Sequence, residues 1–370
     1  MEKKTPDHTE RKRRGRLAPL SLPLMICHLT FGMMLSSCGD DTLTGYVPGD
    51  ATIDIVANGL VFPARGDVGT VEVSTAVTAT LDATWCTATV SGHVVTVTAE
   101  ANSSFEGRTA LLTLTAGAAR RTLPVQQLGM VLGAMPVHAR HAPIGGDSFT
   151  YTIPHDLPMD VSTSEPWLHA SLDGDQLHVS VEANTGGHIR RGHIVTESAA
   201  ISDTLTVAQY DFRSDIPGSY YIIGYLDSDG RQPAATRFDL VERNDSLFMH
   251  WSTESGRYDN TYIHVPFDAA TATLTFLSAM TLYSQGSATE TAYFYDSAGR
   301  ICPSRYAGAS CQMYYSAQTG YNAARITAYN WPGHDIYGFV IRSSSIISTT
   351  LLQLNNIAIV RVGPEGAKLE

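Results

Sequence analysis

Two stretches decide how the chain is read: WCTATVSGHVVTVTAEANSSFEGRTALLTLTAGAARRTLPVQQ at residues 85–127 and WLHASLDGDQLHVSVEANTGGHIRRGHIVTESAAISDTLTVAQ at residues 167–209. Laid over each other at an offset of 82 they need no gap. Trp85 then meets Trp167, Glu100 meets Glu182, Ala101 meets Ala183, Asn102 meets Asn184, Arg108 meets Arg190 and Gln127 meets Gln209. Upstream, Gly66-Asp67 meets Gly146-Asp147 at an offset of 80, so the second copy carries two extra residues before its Trp, expected in a turn around Pro154–Pro158. The apolar positions line up as well: Val95, Val97 and Ala99 against Leu177, Val179 and Val181, then Leu123 and Val125 against Leu205 and Val207. They alternate with polar residues, the period of a half-buried strand. Ser91-Gly92 and Asp173-Gly174 stand between such runs, as hairpin turns do. Short strands at this spacing predict one β-sandwich per copy.

The shared polar residues narrow the reading. Each copy runs Trp, hairpin, Asn, Arg, strand, then Val-x-Gln: Trp85, Asn102, Arg108 and Val125-Gln126-Gln127, and again Trp167, Asn184, Arg190 and Val207-Ala208-Gln209. This pattern resembles the BACON domain, an immunoglobulin-like β-sandwich of extracellular Bacteroidetes proteins, over residues 50–212. The resemblance implies either a carbohydrate-binding role or a spacer role. Trp85 and Trp167 suit packing inside the sandwich better than an open sugar platform, since each directly precedes a hairpin. Asn102 and Asn184 suit turns closed by side chain–backbone bonds. Arg108 and Arg190 suit pinning that loop with guanidinium donors, and Gln127 and Gln209 suit satisfying backbone groups. All eight are read as scaffold. Cys86 stands opposite Leu168, which marks it as a small hydrophobe.

Past residue 212 the composition shifts. Of 17 Tyr in the chain, 14 lie between Ile216 and Gly363, and the Trp–Asn–Arg–Gln pattern does not recur. Strand-like runs separated by turn residues predict a third, antiparallel β-barrel or β-sandwich over 213–370, joined to the second copy by a polar joint at Asp211–Ser214. Cys302 and Cys311 are a candidate disulfide. Tyr and Trp can stack on sugar faces while their polar edges hydrogen-bond. The candidate glycan-binding residues are therefore Trp331, Tyr329 and Tyr337, around the turn-rich Asn330–Asp335, with Trp251 and Tyr314.

The N-terminus is read as an address. Arg11–Arg16 is basic, Leu17–Leu35 is mostly apolar, and Leu35-Ser36-Ser37-Cys38 resembles a bacterial lipobox. That resemblance implies a signal peptide at 1–37, a lipid on Cys38 and a tether over 38–49. Gly39-Asp40-Asp41 resembles the surface-export signal of Bacteroidetes lipoproteins, so the expected location is the outer membrane, lipid-anchored, at the cell surface. The whole chain carries a net charge of −11, and removing 1–37 leaves 18 basic and 33 acidic residues. Such a body does not suit nucleic acid, and the membrane contact rests on acyl chains. No phosphate loop, nucleophile elbow or zinc-protease motif is present, so neither an enzyme, a cofactor nor a metal is expected. The sequence reading is an all-β chain with two tandem immunoglobulin-like sandwiches at 50–130 and 131–212 and an aromatic-rich β domain at 213–370. Its expected function is non-catalytic glycan binding, of host mucin or dietary polysaccharide, through the β-sandwich and distal aromatic-rich domains. The alternatives are a spacer or protein-interaction component of a surface complex, and an unrecognised glycoside hydrolase.

Overall fold

The computed structural model describes residues 52–251, 258, 260–318, 320–344 and 349–361. The expected signal segment, Cys38 and the expected tether lie outside the described residues. The chain divides into two compact units, Met1–Asp50 and Ala51–Glu370, and the description concerns the second.

That unit is all-β; among the described residues the one α-helix is a single turn, Phe212–Asp215. The first copy folds into two sheets. One holds Ile55–Asn58, Asp67–Val73, Val94–Ala99 and Cys86–Ser91; the other holds Val61–Phe62, Ala119–Gln127, Arg108–Ala116 and Thr78–Leu81. The second copy repeats this plan with Asp147–Thr152, Gln176–Val181 and Leu168–Asp173 facing Asp160–Thr163, Arg190–Ser198, Ile201–Gln209 and Ala139–Ala142. Register is conserved between copies: Cys86 pairs with Ala99 as Leu168 pairs with Val181, and Arg108 pairs with Gln127 as Arg190 pairs with Gln209. The alternating apolar residues meet between the sheets, where Val95, Val97, Leu112 and Val125 fill the first core and Leu177, Val179, Ile194 and Val207 the second. Cys86 and Leu168 are buried at the same place. The expected hairpins form, with Gly92 and Gly174 at positive φ of 61° and 54°, a conformation that glycine adopts without steric cost.

The third module has an eight-stranded antiparallel sheet in the order Tyr262–His264, Ser246–His250, Pro233–Arg243, Gly218–Tyr225, Thr349–Arg361, Gly338–Ser343, Ala288–Tyr295 and Met280–Gln285. A four-stranded sheet, Phe267–Asp268, Thr273–Leu277, Ala307–Ser316 and Tyr321–Tyr329, accompanies it. Between them lies a core of Tyr220, Phe238, Phe276, Phe294, Phe339 and Trp251.

The two junctions differ. Between the copies, Ala64 and Met130 of the first meet Leu157 of the second in a small apolar contact, and within the second copy the Val131 amide donates to Asp156 Oδ1 at 2.8 Å and the Gly133 amide to the Pro154 carbonyl at 2.7 Å. The extra residues of the second copy thus belong to its contact with the first. Between the second copy and the third module there is no loose joint. Asp211 caps the helical turn through bonds from the Arg213 and Ser214 amides, and Asp215 is buried. The Asn322 amide group donates to Asp215 Oδ1 at 2.7 Å, and its oxygen accepts the Ile189 N–H at 3.1 Å. Arg191 donates to the carbonyls of Met313 and Thr271, and burial lowers its pKa to about 10. Ile189, Ala208 and Tyr210 of the second copy belong to the same apolar core as the third module.

Candidate binding site

The eight repeated residues form the same internal network twice. Arg108 lies over the Trp85 ring at 4.6 Å and Arg190 over Trp167 at 4.2 Å. Each Arg Nε donates to its Gln Oε1, at 2.8 Å to Gln127 and 2.7 Å to Gln209. Gln127 donates to the carbonyls of Pro63, Ala64 and Glu100, and Gln209 to those of Pro143, Ile144 and Glu182. Asn102 donates to the Glu106 carbonyl at 2.9 Å and Asn184 to that of His188 at 2.7 Å; each accepts an amide two residues on. Trp167 is 9% exposed and Trp85 is half-buried against the first core. The polar atoms and ring faces of this constellation are turned toward the protein itself.

The sequence-derived residues of the third module scatter. Trp251 is 2% exposed, with its ring stacked on Phe339 at 5.6 Å, so it is core and not a surface platform. Tyr314 is exposed, but it pairs with Ala323, whereas Tyr329 pairs with Ala309 at the other end of the same hairpin. Five residues along a strand separate them by about 17 Å. The neighbour of Tyr314, Tyr315, stacks on His188 of the second copy at 3.6 Å. The candidate disulfide does not form: Cys302 and Cys311 are buried free thiols. Cys311 sits in the four-stranded sheet between Leu274 and Ile326, while the Cys302 amide bonds to Phe294 in the eight-stranded sheet. Burial raises the Cys311 thiol pKa.

Tyr329, Trp331 and Tyr337 do gather around one loop, and all three are half-buried. Trp331 stacks on His334 at 3.5 Å and meets Tyr329 edge-on at 6.1 Å. Beneath them Asp296, fully buried, lies 2.7 Å from His334 Nδ1 and accepts from Arg300 Nε and the Arg300 amide, each at 2.8 Å. Burial alone would raise the Asp296 pKa, but the bonds from His334 and Arg300 outweigh it and hold the value at about 2. Ser297 Oγ donates to Asp335. His334 and Arg300 are thus both bonded to Asp296, and Asp335 to Ser297.

An open groove adjoins it. The Tyr337 carbonyl accepts the Ile357 amide, and Ile357 lines a cavity of about 850 Å³ with Tyr221, Ile223, Tyr225, Pro233, Ala235, Asn356 and Ala358. The strand Gly218–Tyr225 explains the placement: Tyr220, Ile222 and Gly224 face the core, so Tyr221, Ile223 and Tyr225 face out. A bulge between Ile223 and Tyr225 puts Asn356 at φ 49° on the partner strand. Position 224 must be glycine, because a Cβ there would lie 2.7 Å from the Asn355 carbonyl oxygen. Buried Asn355 locks the bulge, donating to the carbonyls of Tyr225 and Leu226 and accepting from Tyr295 Oη at 2.8 Å. Tyr221, Tyr225 and Asn356 make no side-chain hydrogen bond among the described residues. Sequence reasoning missed this groove. Its signal was present in the alternation of Tyr221, Ile223 and Tyr225, but not the choice of face.

Comparison with known proteins finds a match to the BACON family model, described as "Putative binding domain, N-terminal", over residues 72–128. Among solved structures, an endo-fucoidan hydrolase of glycoside hydrolase family 107 is similar at 11% identity over 44% of this chain and 29% of its own, with a TM-score of 0.25. A Bacteroides ovatus GH5 xyloglucanase in complex with a XXXG heptasaccharide is similar at 21% identity over 24% of this chain and 20% of its own, with a TM-score of 0.21. A chimeric titin Z1Z2 is similar at 9% identity over 43% of this chain and 95% of its own, with a TM-score of 0.27. The chain spans less than a third of either hydrolase. No curated protein matches the chain.

Proposed function

We propose that this chain is a non-catalytic glycan-binding lipoprotein, held at the outer membrane by Cys38 and displaying its binding site on the third module. The observation that carries the reading is the Tyr221–Tyr225 groove, where aromatic rings, small side chains and polar groups with no side-chain bond among the described residues line a cavity within the usual size range of ligand sites. Aromatic rings offer sugars a flat apolar face, and Tyr hydroxyls and the Asn amide offer hydrogen bonds. Among the described residues the groove has no carboxylate in its lining, whereas glycoside hydrolysis ordinarily needs two. The two sandwiches act as spacers in this reading, because their Trp, Arg, Gln and Asn are engaged within each copy.

A glycan array probed with the full chain and with Tyr221→Ala tests this. Binding that Tyr221→Ala abolishes supports the groove. Retention of no glycan, together with recovery of a protein partner by cross-linking, sinks it in favour of a component of a surface protein complex. Mass spectrometry of the membrane-extracted protein tests the anchor, which an unmodified Cys38 thiol rules out.

A further inference from the structure

The chemistry of the groove selects among glycans, an inference that rests on the glycan-binding reading above. The chain has 36 acidic and 25 basic residues, yet none of the described residues lining the groove is charged. Three of the charges that flank it are engaged. Arg237, opposite Tyr221, donates to Ser219 Oγ at 2.8 Å and to Asp239 at 3.2 Å. Arg361, opposite Tyr220, donates to the carbonyls of Ser214 and Pro217. Asp227, beyond Tyr225, accepts the amides of Arg231 and Gln232. The Arg231 side chain, in the turn that joins Tyr225 to Pro233, has no partner among the described residues but stands outside the lining, so a sulfate or carboxylate placed in the groove would lose its hydration with no charged group of the described lining to receive it.

The register supplies a shape. Ile223 pairs with Ala235 on one side and Ala358 on the other. A floor of Ala235, Ile223 and Ala358 thus runs across three strands between Tyr221 and Tyr225, whose Cα atoms are about 13 Å apart along the strand. Asn356, on the bulge at one edge, presents both a donor and an acceptor.

We propose that the groove binds an uncharged polysaccharide segment, with pyranose faces laid against Tyr221 and Tyr225, hydroxyls read by Asn356, and the width of the chain set by Ala235 and Ala358. Polysaccharides bearing sulfate, uronate or sialate are excluded.

The test is affinity electrophoresis and calorimetry of the full chain against uncharged glucans, mannans and xylans and against sulfated and uronate polysaccharides. It is run at about 50 and about 500 mM salt, where screening separates ionic from neutral binding. Ala358→Phe fills the floor, and Asn356→Gly removes the amide at a backbone angle that glycine accepts. The expected result is binding to uncharged chains that salt leaves unchanged and that each variant weakens by about tenfold or more, roughly the worth of one buried contact or strong hydrogen bond. Thermal melts matching the native chain show that each variant folds, and if Ala358→Phe does not, Asn356→Gly decides. Binding only to polyanions, lost at high salt, overturns the uncharged ligand while glycan binding stands. Uncharged binding that survives both variants overturns the groove as its place. Retention of no polysaccharide by the native chain overturns the glycan reading and this inference with it.

Discussion

Gln209→Met is the most informative single perturbation of the scaffold. Methionine nearly preserves the side-chain volume, so the change removes hydrogen bonds without opening a cavity. Gln209 is fully buried; its amide donates to Pro143 at 2.8 Å and Glu182 at 3.0 Å, and its oxygen accepts Arg190 Nε at 2.7 Å. The carbonyls it serves are not orphaned by the change. Pro143 O still accepts the Gly146 amide, and Glu182 O still accepts Arg190 Nη2 at 2.7 Å. The two neutral bonds therefore cost about 1 kcal/mol each, and the guanidinium bond about 1.5 to 3 kcal/mol, for a loss of about 3 to 5 kcal/mol. Urea unfolding followed by circular dichroism and tryptophan fluorescence measures it, and Trp167, under Arg190, reports locally. Gln127→Met is the internal control. Its three carbonyls are served in the same way by the Gly66 and Asn102 amides and Arg108, so the cost should agree within about 1 kcal/mol. A loss under about 1 kcal/mol in both would show that apolar packing replaces the network, and the scaffold argument would fail.

Trp251→Ala should cost about 3 to 5 kcal/mol in the same urea assay as a core truncation, whereas Tyr314→Ala, on an exposed surface, should cost less than about 0.5 kcal/mol; comparable costs would place Trp251 outside the core. Asp296, held at about 2 when folded, sits below the ordinary carboxylate value of about 3.9 in the unfolded chain. Its stabilisation is complete above that ordinary value and is lost as pH falls through the folded one. Asp296→Asn should flatten the decline of the urea midpoint across this acid window, and superimposable native and variant profiles would refute the His334–Asp296–Arg300 assignment. Cys302 and Cys311 should resist alkylation in the native protein and react on unfolding, as buried thiols do. A Cys302–Cys311 disulfide in a non-reducing peptide map would contradict the structure.

The sandwiches were legible in the sequence because a local network repeats at fixed spacing: Trp167, Arg190 and Gln209 hold each other only at the offsets that Trp85, Arg108 and Gln127 also keep. The third module was legible as β but not as a site. The strand Ala307–Ser316 opens on Ala307, Gly308, Ala309 and Ser310, which carry no strand-like pattern of their own; the small residue at 308 is dictated by Phe294, whose ring would lie 2.6 Å from an added Cβ. Tyr220 and Tyr221 are adjacent and alike, yet one is core and the other lines the groove. Which face of a strand is covered is set by a second sheet far along the chain. Asp211–Ser214 read as a polar joint for the same reason. The buried state of Asp215 depends on Asn322, 107 residues away.

The shared core of the second sandwich and the last module bears on how such chains can be rearranged by recombination. The first sandwich meets its neighbour through a small apolar contact, so a crossover near residue 130 would cut little. A crossover near residue 213 would strip Ile189, Ala208 and Tyr210 from the packing they complete and leave the Arg191 guanidinium without the carbonyls that receive it. The heritable cassette is therefore the second sandwich and the groove-bearing module together, with the first sandwich as the exchangeable piece.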